Sequence, residues 1–150
     1  MARKIIPDVV NEQKLSNLTP KDTVRAAAQL MEQKHIAAVL VVEDDKLVGI
    51  ITERYLTTKV LAKGVDPDSI SIADVMTPNP DTLAPSDRPS NALELMSVRG
   101  YRHLPVTEDG KPVGIVSIRD LYAIIKDGLE QDVKDRDAFI FGETYGSSHK

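Results

Sequence analysis

The sequence predicts an α/β protein made of two copies of a strand, helix, strand, strand, helix unit. Three observations carry that prediction: self-similarity at one fixed shift, paired apolar runs rich in β-branched residues, and apolar residues at helical spacing behind a proline in each copy. A shift of 65 positions lays Leu18 on Leu83. Without a gap it also carries Pro20, Asp22, Ala27, Leu30, Met31, Val41, Glu43, Asp44, Lys46, Val48, Gly49, Ile50, Arg54 and Leu56 onto identical residues at 85, 87, 92, 95, 96, 106, 108, 109, 111, 113, 114, 115, 119 and 121. A unit of roughly 60 residues that occurs twice reads as a duplicated domain, since solenoids repeat shorter units more often.

The first copy opens with a lead-in at Ile5 to Val10 and a short extended piece at Lys14 to Leu18, closed by Pro20. Thr23 is suited to cap the first helix, whose Ala27, Leu30 and Met31 share one face. Ala37 to Val42 and Leu47 to Ile51 are apolar runs without alternation, which predicts two central strands covered on both faces. Glu43-Asp44-Asp45-Lys46 joins them as a hairpin turn. A second helix follows, and Gly64 to Ser69 is a turn-rich linker. Ile70 to Met76 then leads into the second copy as Ile5 to Val10 leads into the first. Asp81 to Leu83 is the second extended piece. Arg88-Pro89 opens the next helix, with proline suited to its first turn, although an arginine side chain cannot cap it. The second hairpin, at Glu108 to Lys111, carries the Asp-Gly signal. Leu121, Ile124, Ile125, Leu129 and Val133 mark the final helix. These boundaries divide the chain into residues 1–67 and 68–128 as the two repeats, and 129–150 as a charged helix with an aromatic tail at Phe139 to Tyr145.

Composition narrows the function classes. The chain of 150 residues carries a formal charge of −4, the wrong balance for a protein that neutralises phosphate backbones. Cysteine is absent, which excludes disulfides, thiolate nucleophiles and cysteine-ligated metal centres. No apolar run approaches the ~18 residues of a membrane span, and no apolar leader stands at the N-terminus, so a cytoplasmic protein is expected with neither nucleic acid nor membrane as partner. His35, His103 and His149 have no spacing that would set two metal ligands on one helical face, so no metal is expected. The phosphate-loop, dinucleotide and nucleophile-elbow signatures are missing, and no catalytic constellation or catalytic cofactor is expected.

One constellation stands out. Gly114-Ile115-Val116-Ser117-Ile118-Arg119-Asp120 is a strand-to-helix junction, partly echoed by Gly49-Ile50-Ile51-Thr52-Glu53-Arg54-Tyr55. The glycines let another group approach the strand backbone. Ser117 at a helix start offers free N–H groups to an anion, and Asp120 one turn on can accept from vicinal hydroxyls, a pairing that fits phosphate and ribose. Ser-x-x-Asp is equally close to a capping box worth ~1 kcal/mol that needs no ligand. Arg119 and Arg54 lie in a first helical turn, where the dipole disfavours cations. A bound anion explains both, and so do surface ion pairs.

The paired Gly-h-h-[Thr/Ser]-x-Arg junctions (h apolar), the second completed by Asp120, together with Asp74-Val75-Met76-Thr77-Pro78 and Gly100-Tyr101-Arg102-His103-Leu104-Pro105-Val106, resemble a tandem pair of cystathionine β-synthase (CBS) domains, a Bateman module, over residues 5 to about 128. The resemblance implies two α/β repeats about a pseudo-twofold, with small mixed sheets packed together, helices outside, and adenine nucleotides in the clefts between them. It also implies a homodimer. It assigns Asp120 to the ribose hydroxyls, Ser117 to ribose and phosphate, Tyr101 to Pro105 (with Leu104) to the base pocket, Arg102 and His103 to phosphates, and Thr82 and Leu83 to the border of the base. Arg119 belongs to the same junction.

The first copy departs from the pattern. Tyr55 replaces the ribose-binding Asp, and Ala37-Ala38 stand in place of Arg102-His103, leaving Thr52 and Arg54 of that site. One nucleotide per chain is therefore expected, at Ser117 and Asp120, with the Tyr55 site empty or at least tenfold weaker. The function expected is a regulatory sensor of AMP, ADP, ATP or an NAD-like ligand that transmits occupancy to a partner protein. The alternatives are a structural dimerisation module without ligand, and a nucleotide-using enzyme resting on His103.

Overall fold

A computed structural model describes residues 2–129. After one irregular turn at Ile5–Val9, the first repeat runs β1 (Asn17–Leu18), α1 (Val24–Lys34), β2 (Ala38–Glu43), β3 (Lys46–Thr52) and α2 (Glu53–Tyr55, continued by Leu56–Leu61). A short turn at Ile72–Asp74 and β4 (Thr77–Pro78) lead to α3 (Pro89–Arg99), β5 (His103–Glu108), β6 (Lys111–Ser117) and α4, which spans residues 118–129. The expectations for a charged helix at 130 onward and for the Phe139 to Tyr145 tail lie outside the described residues.

β1 to β4 form one mixed sheet in sequence order, with β1 parallel to β2 and the other two pairs antiparallel. β2 and β3 are its central strands, as their unbroken apolar runs predict. β5 and β6 form the second sheet, and Leu83 adds a parallel bridge to Val106 in place of a full outer strand. Both hairpins turn through residues at positive φ, Asp44 and Asp45 in one and Asp109 and Gly110 in the other, which matches the right-handed twist of the strands they join. Thr23 caps α1 by accepting from the Ala26 N–H at 3.1 Å. At α3, Asn91 Oδ1 accepts from the Arg88 N–H at 2.8 Å, so the helix is closed from its third residue.

Alternation along the central strands builds two different contacts. Val39, Val41 and Ile51 turn to the α1 side and join Val24, Ala27, Met31 and Val60 in one core. Ala38, Leu40 and Ile50 turn the other way and pack with Leu15, Leu47 and with Ile115 of the second repeat, which presses the sheets together. The hairpins meet at the rim, where the Leu47 N–H donates to the Gly110 carbonyl at 3.0 Å.

The lead-ins are exchanged between repeats. Ile5 and Val10 are buried with Leu83, Ala92, Met96, Leu104 and Val116, the core of the second repeat, and the Ile5 N–H donates to the Asp87 carbonyl at 2.7 Å. Reciprocally, Ile72 and Val75 complete the first repeat's core, and the Ile72 N–H donates to the Asp22 carbonyl at 2.8 Å. Each repeat in sequence thus finishes the other repeat's core in space.

The junction glycines serve this exchange. A Cβ on Gly49 would run into Met76 Sδ and come within 3.0 Å of the Thr77 carbonyl, while one on Gly114 would meet Gln13 Oε1 at 3.0 Å. The group that approaches each strand backbone is therefore the protein's own lead-in. Gln13 lies 65 residues before Pro78, and its side-chain amide stands in for β4: Nε2 donates to the Ile115 carbonyl at 3.0 Å, and Oε1 accepts from the Ile115 N–H at 2.8 Å.

Candidate functional site

Because β3 and β6 face one another, the helix starts that follow them open onto common ground. A cleft of about 280 Å³ lies between the repeats. The first repeat lines it with Ala37, Ile50, Thr52, Glu53, Arg54 and Tyr55. Thr77, Pro80 and Asp81 come from the connection, and Gly100 to Pro105, Ser117, Ile118 and Arg119 from the second repeat. Two junctions that the sequence reads as separate sites are therefore two walls of one cleft. Strand pairing explains the convergence: β5 pairs His103 with Ser117, and β2 pairs Ala38 with Thr52.

The α4 start carries the capping box in full. Asp120 Oδ2 accepts from the Ser117 N–H at 2.8 Å, and Ser117 Oγ accepts from the Asp120 N–H at 3.1 Å. Asp120 does not line the cleft surface, although its charge acts on His103, which does. Only one carboxylate oxygen is engaged in the box, so capping does not exhaust Asp120 as an acceptor. At the α2 start, Thr52 Oγ1 accepts from the Tyr55 N–H at 3.4 Å, and a tyrosine cannot reciprocate. The Tyr55 hydroxyl instead accepts from Thr77 Oγ1 at 2.7 Å, and Lys59 Nζ stands 4.4 Å from the ring centroid. The first repeat's counterpart of Asp120 is thus a ring tied to β4.

The cleft is lined by charges of both signs. Arg54, Arg102 and Arg119 all line it, and among the described residues none of their guanidinium groups enters an ion pair. His103 lies among Glu53, Asp120, Arg54 and Arg102. Burial pushes its imidazole below the ordinary histidine value and the two arginines add to that, while Asp120 and Glu53 pull the other way. Burial pushes the Tyr101 phenol above its ordinary range, and the Asp81 carboxylate, to which its hydroxyl donates, raises it further.

The CBS domain family model matches residues 5–62 and again residues 72–127. The chain belongs to the CBS domain family. It is 33% identical over 129 residues to the mitochondrial CBS domain-containing protein CBSX3 of Arabidopsis thaliana, covering 83% of this chain and 63% of that one. It is 31% identical over 107 residues to the CBS domain-containing protein YhcV of Bacillus subtilis, covering 71% and 76%. A solved CBS-domain structure from Burkholderia ambifaria superposes with a TM-score of 0.76 at 30% identity, covering 82% of this chain and 93% of that one. The chain spans 55% of an archaeal relative from Methanopyrus kandleri to which it is 35% identical over 71% of its own length. A CBS pair of this kind is a regulatory module.

Within this CBS pair, Tyr101, Arg102, His103, Leu104, Pro105, Ser117 and Arg119 of the expected second site line the cleft, as do Thr52, Arg54 and Tyr55 of the expected first. Thr82 and Leu83 do not. Leu83 is 2% exposed in the second core, drawn inward because its N–H donates to the Pro105 carbonyl and its own carbonyl accepts from the Thr107 N–H, both at 2.9 Å. Thr82 is exposed. The neighbours that do reach the cleft are Pro80 and Asp81. The sequence places Asp81 at the start of the second extended piece, where nothing local marks it as a cleft residue. Among the described residues no group of histidines and carboxylates is placed to hold a metal ion, and no helix is long and apolar enough to cross a membrane.

Proposed function

We propose that the cleft binds one adenine nucleotide per chain (AMP, ADP, ATP or an NAD-like relative) and that its occupancy regulates a partner protein. The observation that carries this reading is the convergence of Arg54, Arg102 and Arg119, all without an ion-pair partner among the described residues, on a cleft whose floor is Ile50, Leu104 and Pro105. An apolar floor takes a base, and guanidinium groups take phosphate oxygens in paired hydrogen bonds. Arg54 comes from one repeat and Arg102 and Arg119 from the other, so an anion held by both sets draws the repeats together. That is the regulatory signal. Asp120 and Ser117 act at the ribose and phosphate, with Tyr55 closing the position its repeat would otherwise offer. A CBS pair of the same fold, at 24% identity, was solved in complex with 5′-methylthioadenosine and S-adenosyl-L-methionine, so the fold accommodates adenosine-bearing ligands.

The same reading places the regulatory unit in residues 1–67 and 68–128 and includes self-association through helical faces, supported by the exposed Leu61, Val98 and Tyr122. Mass spectrometry of small molecules carried through purification, followed by calorimetry with the adenine series, tests the assignment. The expected result is a single site that tightens from adenosine to the phosphorylated forms. At 100 times the dissociation constant the ligand adds ~2.7 kcal/mol of stability. A thermal-shift panel flat across all nucleotides would reject the sensor in favour of a structural interaction module.

A further inference from the structure

Asp81 lines the cleft half-buried, its Oδ2 closed to solvent and its carboxylate hydrogen-bonded by the Tyr101 hydroxyl. The nearest cation, Arg99 Nη1, stands at 3.9 Å, beyond hydrogen-bond length, on a side chain 58% exposed, so that ion pair does little for the carboxylate. A carboxylate offers about four acceptor sites, so the Tyr101 hydroxyl leaves Asp81 able to accept from a further N–H brought into the cleft. Rotation about the last torsion of the side chain exchanges its two oxygens, so either can meet such a donor.

The ligand part that belongs here is set by charge. Phosphate is repelled by Asp81 and attracted by the unpaired Arg54, Arg102 and Arg119. The neutral, donor-bearing part of a nucleotide therefore turns toward Asp81, beside the Tyr101 ring. We propose that Asp81 selects the ligand's base, accepting a hydrogen bond from an exocyclic amino group of a purine. This deepens the nucleotide reading of the same cleft and rests on it.

The test compares AMP, purine riboside 5′-monophosphate (which lacks the amino group), 2′-deoxy-AMP and GMP by calorimetry on the wild type, Asp81→Ala and Asp81→Asn. The wild type should bind AMP roughly tenfold or more tighter than purine riboside monophosphate. Asp81→Ala should erase that gap by weakening AMP alone. Asp81→Asn, which keeps an acceptor oxygen, should retain part of it and guards against a folding defect in the alanine variant. An equal gap in all three proteins overturns the assignment, and so does an effect of Asp81→Ala confined to the comparison of AMP with its 2′-deoxy form. A wild-type preference for GMP that disappears in Asp81→Ala upholds the amino-group contact while rejecting adenine. Binding of none of the four by the wild type overturns the nucleotide reading and Asp81 with it.

Discussion

Replacing Asp120 separates the two tasks that the α4 start is built to perform. Its Oδ2 holds the Ser117 N–H at 2.8 Å, one half of a reciprocal cap in a partly buried setting. Asp120→Ala removes that half and should cost about 1 kcal/mol, or a fall in Tm of roughly 3 °C for a domain of this size. Asp120→Asn keeps an oxygen for the Ser117 N–H and should stay within ~0.5 kcal/mol of the wild type. Nucleotide affinity should divide differently. Hydrogen bonds from ribose hydroxyls to a carboxylate are worth ~1.5 to 3 kcal/mol each, so both variants should lose roughly tenfold or more in affinity, the asparagine included. Differential scanning calorimetry and titration calorimetry on the same three proteins read the two quantities independently. If Asp120→Ala lowers Tm while both variants bind nucleotide as the wild type does, Asp120 is a cap only and the ribose assignment is wrong.

Two further outcomes follow from the geometry. Burial lowers the pKa of His103 in the folded state, so between that depressed value and the ordinary ~6.5 the unfolded chain binds the extra proton, and stability falls as pH falls through this window. Wild type should therefore lose more Tm between pH 7.5 and 5.5 than His103→Gln, and parallel slopes would refute the buried neutral imidazole. Ile5→Ala should cost ~2 to 5 kcal/mol in urea unfolding, and hydrogen exchange should show α3, β5 and β6 losing protection ahead of α1, β2 and β3, because Ile5 sits in the second repeat's core. Preferential loss in the first repeat would contradict the exchange of lead-ins.

Much of this fold was legible because its signals are local. The 65-residue repeat, the unbroken runs at Ala37 to Val42 and Leu47 to Ile51, the cap at Thr23 and the Asp-rich and Asp-Gly turns each act within a few residues of themselves, and each produces the element that its chemistry predicts. Of the cleft's second-repeat residues, Ser117 and Arg119 were legible as a local strand-to-helix junction and Tyr101 to Pro105 through the resemblance to CBS domains, and the β5–β6 register brings the two stretches together. The pairing of the two junctions could not be read this way. Whether Arg54 and Arg119 open onto separate clefts or a shared one depends on how two sheets pack, and that is set by Ala38, Leu40, Ile50 and Ile115, residues whose apolar character says they are buried but not against what.

The lead-ins show the limit most clearly. Ile5 to Val10 and Ile70 to Met76 announce themselves as apolar and alike, yet burial is non-directional, and nothing in their composition chooses between their own repeat and its twin. By itself the sequence determined the elements, the duplication and most of the residue types that line the cleft. The tertiary structure alone decided that each repeat is completed by the other's lead-in, that Gly49 and Gly114 are small to admit those segments, and that Asp81 lines the cleft beside Tyr101. These are contacts between segments tens of residues apart, fixed by shape and by which backbone groups remain unpaired once every local hydrogen bond has been made.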